Sequence, residues 1–174
     1  MRTSVRVFDL DNTLIDTSAR VLCVSSDESF GSNEYNQMES EKNVLDKSAY
    51  DYSQFSDLQR LINDRKLVAW ESIQDGDLII TGRADTDVIE SFFTYNNKNV
   101  NINCCPPDLS ISYFKSTVLA HALQHEYAAV ADVYIYEDNP AYARAMCEVV
   151  KAAKKHYFWY RPVDNNKLVL EQYN

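Results

Sequence analysis

Short runs of apolar, β-branched and aromatic residues alternate with amphipathic stretches along most of this chain of 174 residues. Each run ends at polar or turn-forming residues, which is typical of strands buried inside a sheet. Because strands separated by helices pair in parallel, this alternation constrains the fold more than any other feature. The predicted strands are 4–8, 78–80, 100–104 and 133–136, with 156–160 as an aromatic strand at the sheet edge.

Helical patterns lie between these strands. Asp85 is a candidate N-cap for a helix whose apolar face carries Val88, Ile89, Phe92 and Phe93. Further helices are predicted at 54–63, 112–126 and 140–150. The pattern predicts an α/β fold with one domain over residues 1–174. We expect a three-layer α/β/α sandwich around a central parallel, Rossmann-like sheet.

The stretch 17–52 does not follow this alternation. Residues 21–24 favour one arm of a hairpin, whereas 25–48 are rich in serine, asparagine and acidic residues. We interpret 17–52 as a flap or small insert that follows the first strand and covers the site. A disordered surface loop is the alternative interpretation of the same composition.

The net charge is strongly negative, with 17 basic and 26 acidic residues giving −9. Such a charge repels a phosphate backbone, so we expect no stable nonspecific binding of nucleic acid. No apolar run approaches 18 residues, so we expect no membrane contact. The first residues lack the apolar core of a signal peptide, and we therefore expect a cytoplasmic protein.

Polar clusters follow four of the predicted strands. In a parallel sheet the carboxyl ends of neighbouring strands meet at one edge, where ligands bind. We therefore expect these clusters to share one crevice. They are Asp9-Leu10-Asp11-Asn12-Thr13, Thr81-Gly82-Arg83, Lys115 and Glu137-Asp138-Asn139.

These residue types suit phosphoryl transfer. Asp9 and Asp138 provide the carboxylates that Mg²⁺ prefers, and an ionised Asp9 can attack phosphorus. Asp11 lies two residues further on and can exchange a proton with the leaving oxygen and with water. The Thr81 hydroxyl and the Lys115 ammonium can bind the phosphoryl oxygens. The sequence therefore predicts a magnesium-dependent phosphate site.

The motifs resemble those of the haloacid dehalogenase (HAD) superfamily of phosphohydrolases. Residues 8–14, Phe-Asp-Leu-Asp-Asn-Thr-Leu, resemble its first motif, DxDx[TV]. Residues 80–83, Ile-Thr-Gly-Arg, are similar to the second motif, Lys115 to the third, and Glu137-Asp138 to the acidic fourth. The resemblance spans about residues 5–139 and implies a HAD-like fold.

The resemblance also implies a role for each residue. Asp9 is the nucleophile that forms an aspartyl-phosphate, and Asp11 is the general acid and base. Mg²⁺ is held by Asp9, Asp138 and the Asp11 backbone carbonyl. The remaining implied roles are phosphate binding for Thr81, Gly82 and Lys115, substrate contact for Arg83, orientation of Lys115 by Glu137, and support of the first motif by Thr13.

The spacing between motifs leaves no room for a large cap. Asp9 and Thr81 are 72 residues apart, and Thr81 and Lys115 are 34 apart. Capless relatives often act on bulky phosphates, and the motifs are similar to those of polynucleotide 3′-phosphatase and RNA-repair domains. Those domains carry arginine after the acidic pair, where this chain has Asn139.

The sequence therefore predicts a phosphatase of nucleotides or nucleic-acid terminal phosphates. Two alternatives stay open. One is a phosphatase of a small phosphorylated metabolite, and the other is a catalytically silent binding or regulatory module on the same fold.

Overall fold

A central sheet with helices on both faces organises the chain. The computed structural model describes residues 3–42, 47–163 and 167–172. The helices are α1 Ser32–Lys42, α2 Leu58–Asn63, α3 Thr86–Tyr95, α4 Ile111–Gln124 and α5 Pro140–Ala152. The strands are β1 Ser4–Phe8, β2 Ile15–Asp16, β3 Arg20–Cys23, β4 Ser29–Gly31, β5 Tyr50–Asp51, β6 Arg65–Lys66, β7 Leu78–Thr81, β8 Asn101–Cys104, β9 Asp132–Tyr136, β10 His156–Val163 and β11 Lys167–Glu171.

The sheet has six strands in the order β11-β10-β9-β1-β7-β8. Every neighbouring pair is parallel except β10 and β11, which are antiparallel. β1 is therefore an interior strand between β9 and β7. Its carboxyl end is flanked by the carboxyl ends of these two parallel neighbours. The predicted parallel α/β sheet is confirmed.

Alternating side chains of the strands pack into two separate cores. Val7 and Leu78 face the core that contains α4 and α5. Phe8 and Ile79 face the other core, which contains α2 and α3. Because both faces of the sheet are covered, its strands are apolar on both sides, which explains why they appear in the sequence as continuous apolar runs. The predicted three-layer arrangement is therefore confirmed.

Two predicted elements were wrong in detail. The helix predicted at 54–63 is divided into a 3₁₀ turn, Ser53–Ser56, and α2. Asp57 separates them because its backbone is extended and its side chain caps α2 by accepting a hydrogen bond from the Arg60 N–H. The strand predicted at 156–160 is not the sheet edge, because β11 pairs with its outer side.

The predicted flap contains its own small structure. β3 pairs with β4 and β5 in an antiparallel sheet, and α1 follows β4 directly. Aromatic rings pack within it: the Tyr35 ring lies 5.3 Å from Tyr50 and 5.5 Å from Tyr52, centroid to centroid. Most of the stretch is thus ordered secondary structure rather than loop; residues 43–46 of the predicted flap lie outside the described residues.

Within the described parts of the chain, none of the helices combines the length and apolarity needed to cross a bilayer.

Candidate active site

The carboxyl ends of β1 and β9 lie side by side. Phe8 pairs with Tyr136 in parallel register, and the Asp9 N–H donates to the Tyr136 carbonyl oxygen at 2.9 Å. The residues that directly follow the two strands, Asp9 and Glu137, therefore become neighbours. This register brings the first and fourth motifs together, as the sequence predicts.

The chain turns sharply after β1. Asn12 adopts a positive φ of 58°, a left-handed conformation that asparagine tolerates better than most residues. The N–H groups of Leu14 and Ile15 both donate to the Leu10 carbonyl oxygen. The turn places Asp9 and Asp11 in the wall of the same pocket.

Lys115, on the first turns of α4, joins two of these carboxylates. Its ammonium lies 2.7 Å from Asp9 Oδ1 and 2.5 Å from Glu137 Oε2, and its side chain is 1% exposed. Burial alone would lower the Lys115 pKa, but Asp9 and Glu137 more than offset it and raise the pKa above its ordinary value. Lys115 therefore stays positively charged, and its contact with Glu137 is the one that the resemblance implies.

A second buried ion pair joins the first and second motifs. The Arg83 guanidinium binds both carboxylate oxygens of Asp11, with the shortest contact at 2.6 Å from Nη2 to Oδ1. Its Nη1 also donates to the Phe55 carbonyl oxygen at 2.9 Å. Burial acts to raise the Asp11 pKa, but Arg83 outweighs it and lowers the pKa below its ordinary value. Arg83 borders the pocket, and its predicted contact with substrate stays a prediction.

Asp138 is held by two polar side chains. Thr13 Oγ1 donates to Asp138 Oδ1 at 3.3 Å and accepts from the Asp138 backbone N–H at 3.1 Å. Asn33, at the start of α1, donates from Nδ2 to Asp138 Oδ2 at 2.9 Å. Thr13 is fully buried, so the supporting role predicted for it corresponds to a direct contact with the fourth motif.

Three carboxylates form a candidate cation site. Asp9, Glu137 and Asp138 each offer an oxygen, and these oxygens all lie within 4.8 Å of one another. Burial raises the Asp9 pKa to about 6 against the lowering effect of Lys115, and Asp138 and Asp11 add to the rise. Buried anionic oxygens that repel one another fit a hard divalent cation such as Mg²⁺. The predicted contribution of the Asp11 carbonyl stays a prediction.

The second motif lies at the end of β7. Gly82 and Arg83 line the pocket, whereas Thr81 is fully buried and its hydroxyl oxygen accepts from the Arg83 N–H at 3.2 Å. A Cβ on Gly82 would lie 2.9 Å from Ile111 Cδ1, so the Ile111 side chain at the start of α4 packs directly against this turn. Phosphate binding by Thr81 and Gly82 stays a prediction.

Several site residues were not predicted individually from the sequence. Asn33 and Ser32 come from the flap, and Ser32 Oγ accepts a hydrogen bond from Asn12 Nδ2 at 2.8 Å. Trp159 of β10 donates from its indole N–H to the Glu137 carbonyl oxygen at 2.9 Å. No local motif marks these residues, and only the polar composition of the flap indicated that it belongs near the site.

The comparisons with known proteins do not show what the chain does. No protein-family model matches the chain, and no curated protein does. Among solved structures, the fold is similar to the HAD domain of the effector protein Lem4 from Legionella pneumophila. The TM-score is 0.48 and the sequence identity 13%, over 91% of this chain and 85% of that domain.

Proposed function

We propose that the chain is a magnesium-dependent phosphomonoester hydrolase that works through an aspartyl-phosphate on Asp9. The observation that carries this proposal is the contact of Lys115 Nζ with Asp9 Oδ1 at 2.7 Å. It occupies one oxygen of the nucleophile and orients the other. Glu137 and Asp138 complete the acidic cluster around it.

Asp9, Glu137 and Asp138 would hold the cation. When bound, Mg²⁺ would neutralise charge on the phosphoryl oxygens and on these carboxylates. Asp9 would attack phosphorus and break the bond to the ester oxygen, giving the aspartyl-phosphate and the alcohol. Asp11 would deliver a proton to that oxygen and then take one from the water that hydrolyses the intermediate, a role that requires substrate to displace Arg83, which keeps the Asp11 carboxylate ionised in the described state.

Four of the other predicted residues also have a place in this proposal. Lys115 would add positive charge beside the transferring group, and Thr81 and Gly82 would bind its phosphoryl oxygens. Thr13 would keep Asp138 oriented through the hydrogen bond at 3.3 Å. The substrate would be a nucleotide or a nucleic-acid terminal phosphate, or else a small phosphorylated metabolite.

The test compares two carboxylate substitutions in the segment that directly follows β1. Asp9→Asn should abolish phosphate release, because an amide cannot form the acyl phosphate. Asp16→Asn is the matched control, since Asp16 pairs with Arg65 on the surface at 2.8 Å and its side chain is 44% exposed. Phosphate release should require Mg²⁺ and stop with EDTA, and an acid-quenched reaction should leave phosphate on the Asp9 peptide. Full turnover by a folded Asp9→Asn protein would refute the covalent mechanism.

A catalytically silent binding module is a second candidate. It is favoured by the Arg83 guanidinium, which binds both oxygens of the proposed proton donor Asp11. A silent module would bind a phosphate compound and Mg²⁺ without releasing phosphate from any ester. The same assays, run with binding measured in parallel, distinguish the two functions.

A further inference from the structure

Beside its carboxylates, the pocket has a wall of apolar and aromatic side chains. One part comes from the flap and the turn that follows it, and another from the segment between β8 and α4. The pocket encloses about 280 Å³, close to the lower end of the roughly 300–1,000 Å³ typical of small-molecule sites. The flap part includes Tyr35, Tyr52 and Phe55, and the other part includes Pro106, Leu109 and Ile111.

The charged residues that line the pocket disfavour binding of a second phosphate. Among the described residues that line the pocket, five are acidic and two are basic. The two cations are Lys115 and Arg83, and both are already bound to carboxylates at 2.7 Å or less. Among the described residues that line the pocket, a phosphate beyond the one transferred would find no basic side chain that is not already bound to a carboxylate, and Asp85 adds a further negative charge to the pocket.

The apolar and aromatic side chains of this wall instead favour binding of a ligand that contains a ring system. Tyrosine and phenylalanine side chains stack on flat ligands, and proline and leucine cover their edges with apolar surface. The Phe55 ring also lies 5.1 Å from the Arg83 guanidinium carbon, so it is fixed beside the second motif. A ring held here would extend from a phosphate bound at Asp9.

We propose that the substrate is a phosphomonoester of a small, uncharged alcohol that contains an aromatic ring. The proposal excludes the end of a nucleic-acid chain as the substrate. The inference rests on the proposed function for the position of the phosphate. It narrows the substrate class to monoesters that carry a single phosphate, of which a nucleoside monophosphate and an aryl phosphate are both examples.

The test measures binding of phosphonates, which the protein cannot hydrolyse, by titration calorimetry with Mg²⁺ present. Naphthylmethylphosphonate should bind at least about tenfold more tightly than methylphosphonate, because the ring buries on the order of 100 Å² of apolar surface. A nucleoside 5′-methylenephosphonate should bind more tightly than a trinucleotide that carries the same terminal group. Equal affinity for the two small phosphonates, or tighter binding of the trinucleotide, would overturn the proposal.

A pair of variants tests whether the named wall is responsible. Leu109 is 39% exposed at the rim, so Leu109→Asn should fold, and it should reduce the naphthyl preference by about threefold or more. Val24→Asn is the control, because Val24 is 67% exposed in the flap and should leave the preference unchanged. An unchanged preference in Leu109→Asn would exclude this wall as the ring site.

The two proposals can fail separately. Asp9-dependent hydrolysis without any preference for a ring would overturn the substrate inference alone. A ring preference in binding, without phosphate release from any ester, would overturn the proposed hydrolase and leave the aromatic pocket standing.

Discussion

Removing the Arg83 charge should destabilise the protein through Asp11. In Arg83→Met the side chain keeps most of its volume, but the Asp11 carboxylate loses contacts at 2.6 and 3.1 Å. The side chains of the pair are 2% and 15% exposed, so water compensates little. Breaking a buried pair on one side typically costs about 3–5 kcal/mol, and the slight exposure of Asp11 favours the lower end, about 3 kcal/mol.

Urea unfolding of four proteins measures this effect. They are the parent, Arg83→Met, Asp11→Asn and the double variant. Since a neutral pair of similar shape leaves no buried charge, the double variant should regain about 2 kcal/mol or more relative to Arg83→Met. Arg65→Met is the matched control, because Arg65 lies at a similar distance from its partner Asp16, 2.8 Å, but both side chains are about half exposed. That change should cost less than about 1 kcal/mol.

The pH dependence has a defined sign. Arg83 holds the Asp11 pKa below its ordinary value of 3.8, so the stability from this pair is present above about pH 4. It is lost as the pH falls through the lowered pKa. The difference in unfolding free energy between the parent and Arg83→Met should therefore shrink in acid. Additive effects of the two substitutions at pH 7 would refute the reasoning, because they would mean that the two side chains do not interact.

Three further predictions concern other contacts. Thr13→Val should lower the free energy of unfolding by about 1–3 kcal/mol, because the Asp138 backbone N–H loses its acceptor at 3.1 Å. It should also raise the Mg²⁺ concentration needed for activity. Calorimetry would measure the first effect and a magnesium titration the second. Cys23 should react with iodoacetamide before Cys147, since hydrogen bonds from neighbouring serines lower the Cys23 pKa and burial raises the Cys147 pKa to about 12; peptide mass mapping would show the order. Asp85→Ala should cost about 1 kcal/mol in urea unfolding, because its side chain accepts from the Val88 N–H at the start of α3.

The central sheet was predictable from sequence because each of its buried strands can be recognised from a few consecutive residues. Each buried strand carries its own apolar run, and the ends of α3 and α5 carry capping residues that can be recognised within a few positions. Asp85 caps α3, and Asn139 caps α5 directly before a proline. The break at Asp57 was missed because an aspartate caps a helix only when its own backbone is extended, which the sequence does not show, and the apolar spacing continues through it. The outer strand β11 was missed because its side chains are half exposed and its pattern is weak.

The site was predictable only where strand order brings residues together. The Lys115–Glu137 pair follows from two motifs placed at one sheet edge. The contact of Arg83 with Asp11 joins residues 72 positions apart, and that of Asn33 with Asp138 joins residues 105 positions apart. Such contacts depend on how the flap and the loops pack against the carboxyl ends of the strands. A side chain of the right type at the right edge does not determine which of several carboxylates it will bind.

The hydrogen bond from Trp159 to the Glu137 carbonyl gives the protein a built-in optical probe. The chain has two tryptophans. Trp159 lies against the acidic cluster, whereas Trp70 stacks on Phe93 in the core on the other face of the sheet, 5.7 Å between centroids. In a Trp70→Phe protein, fluorescence excited selectively in tryptophan rather than tyrosine would come from Trp159 alone. Its emission would follow the arrival of a cation at the carboxylates without a label, a substrate or any catalytic turnover.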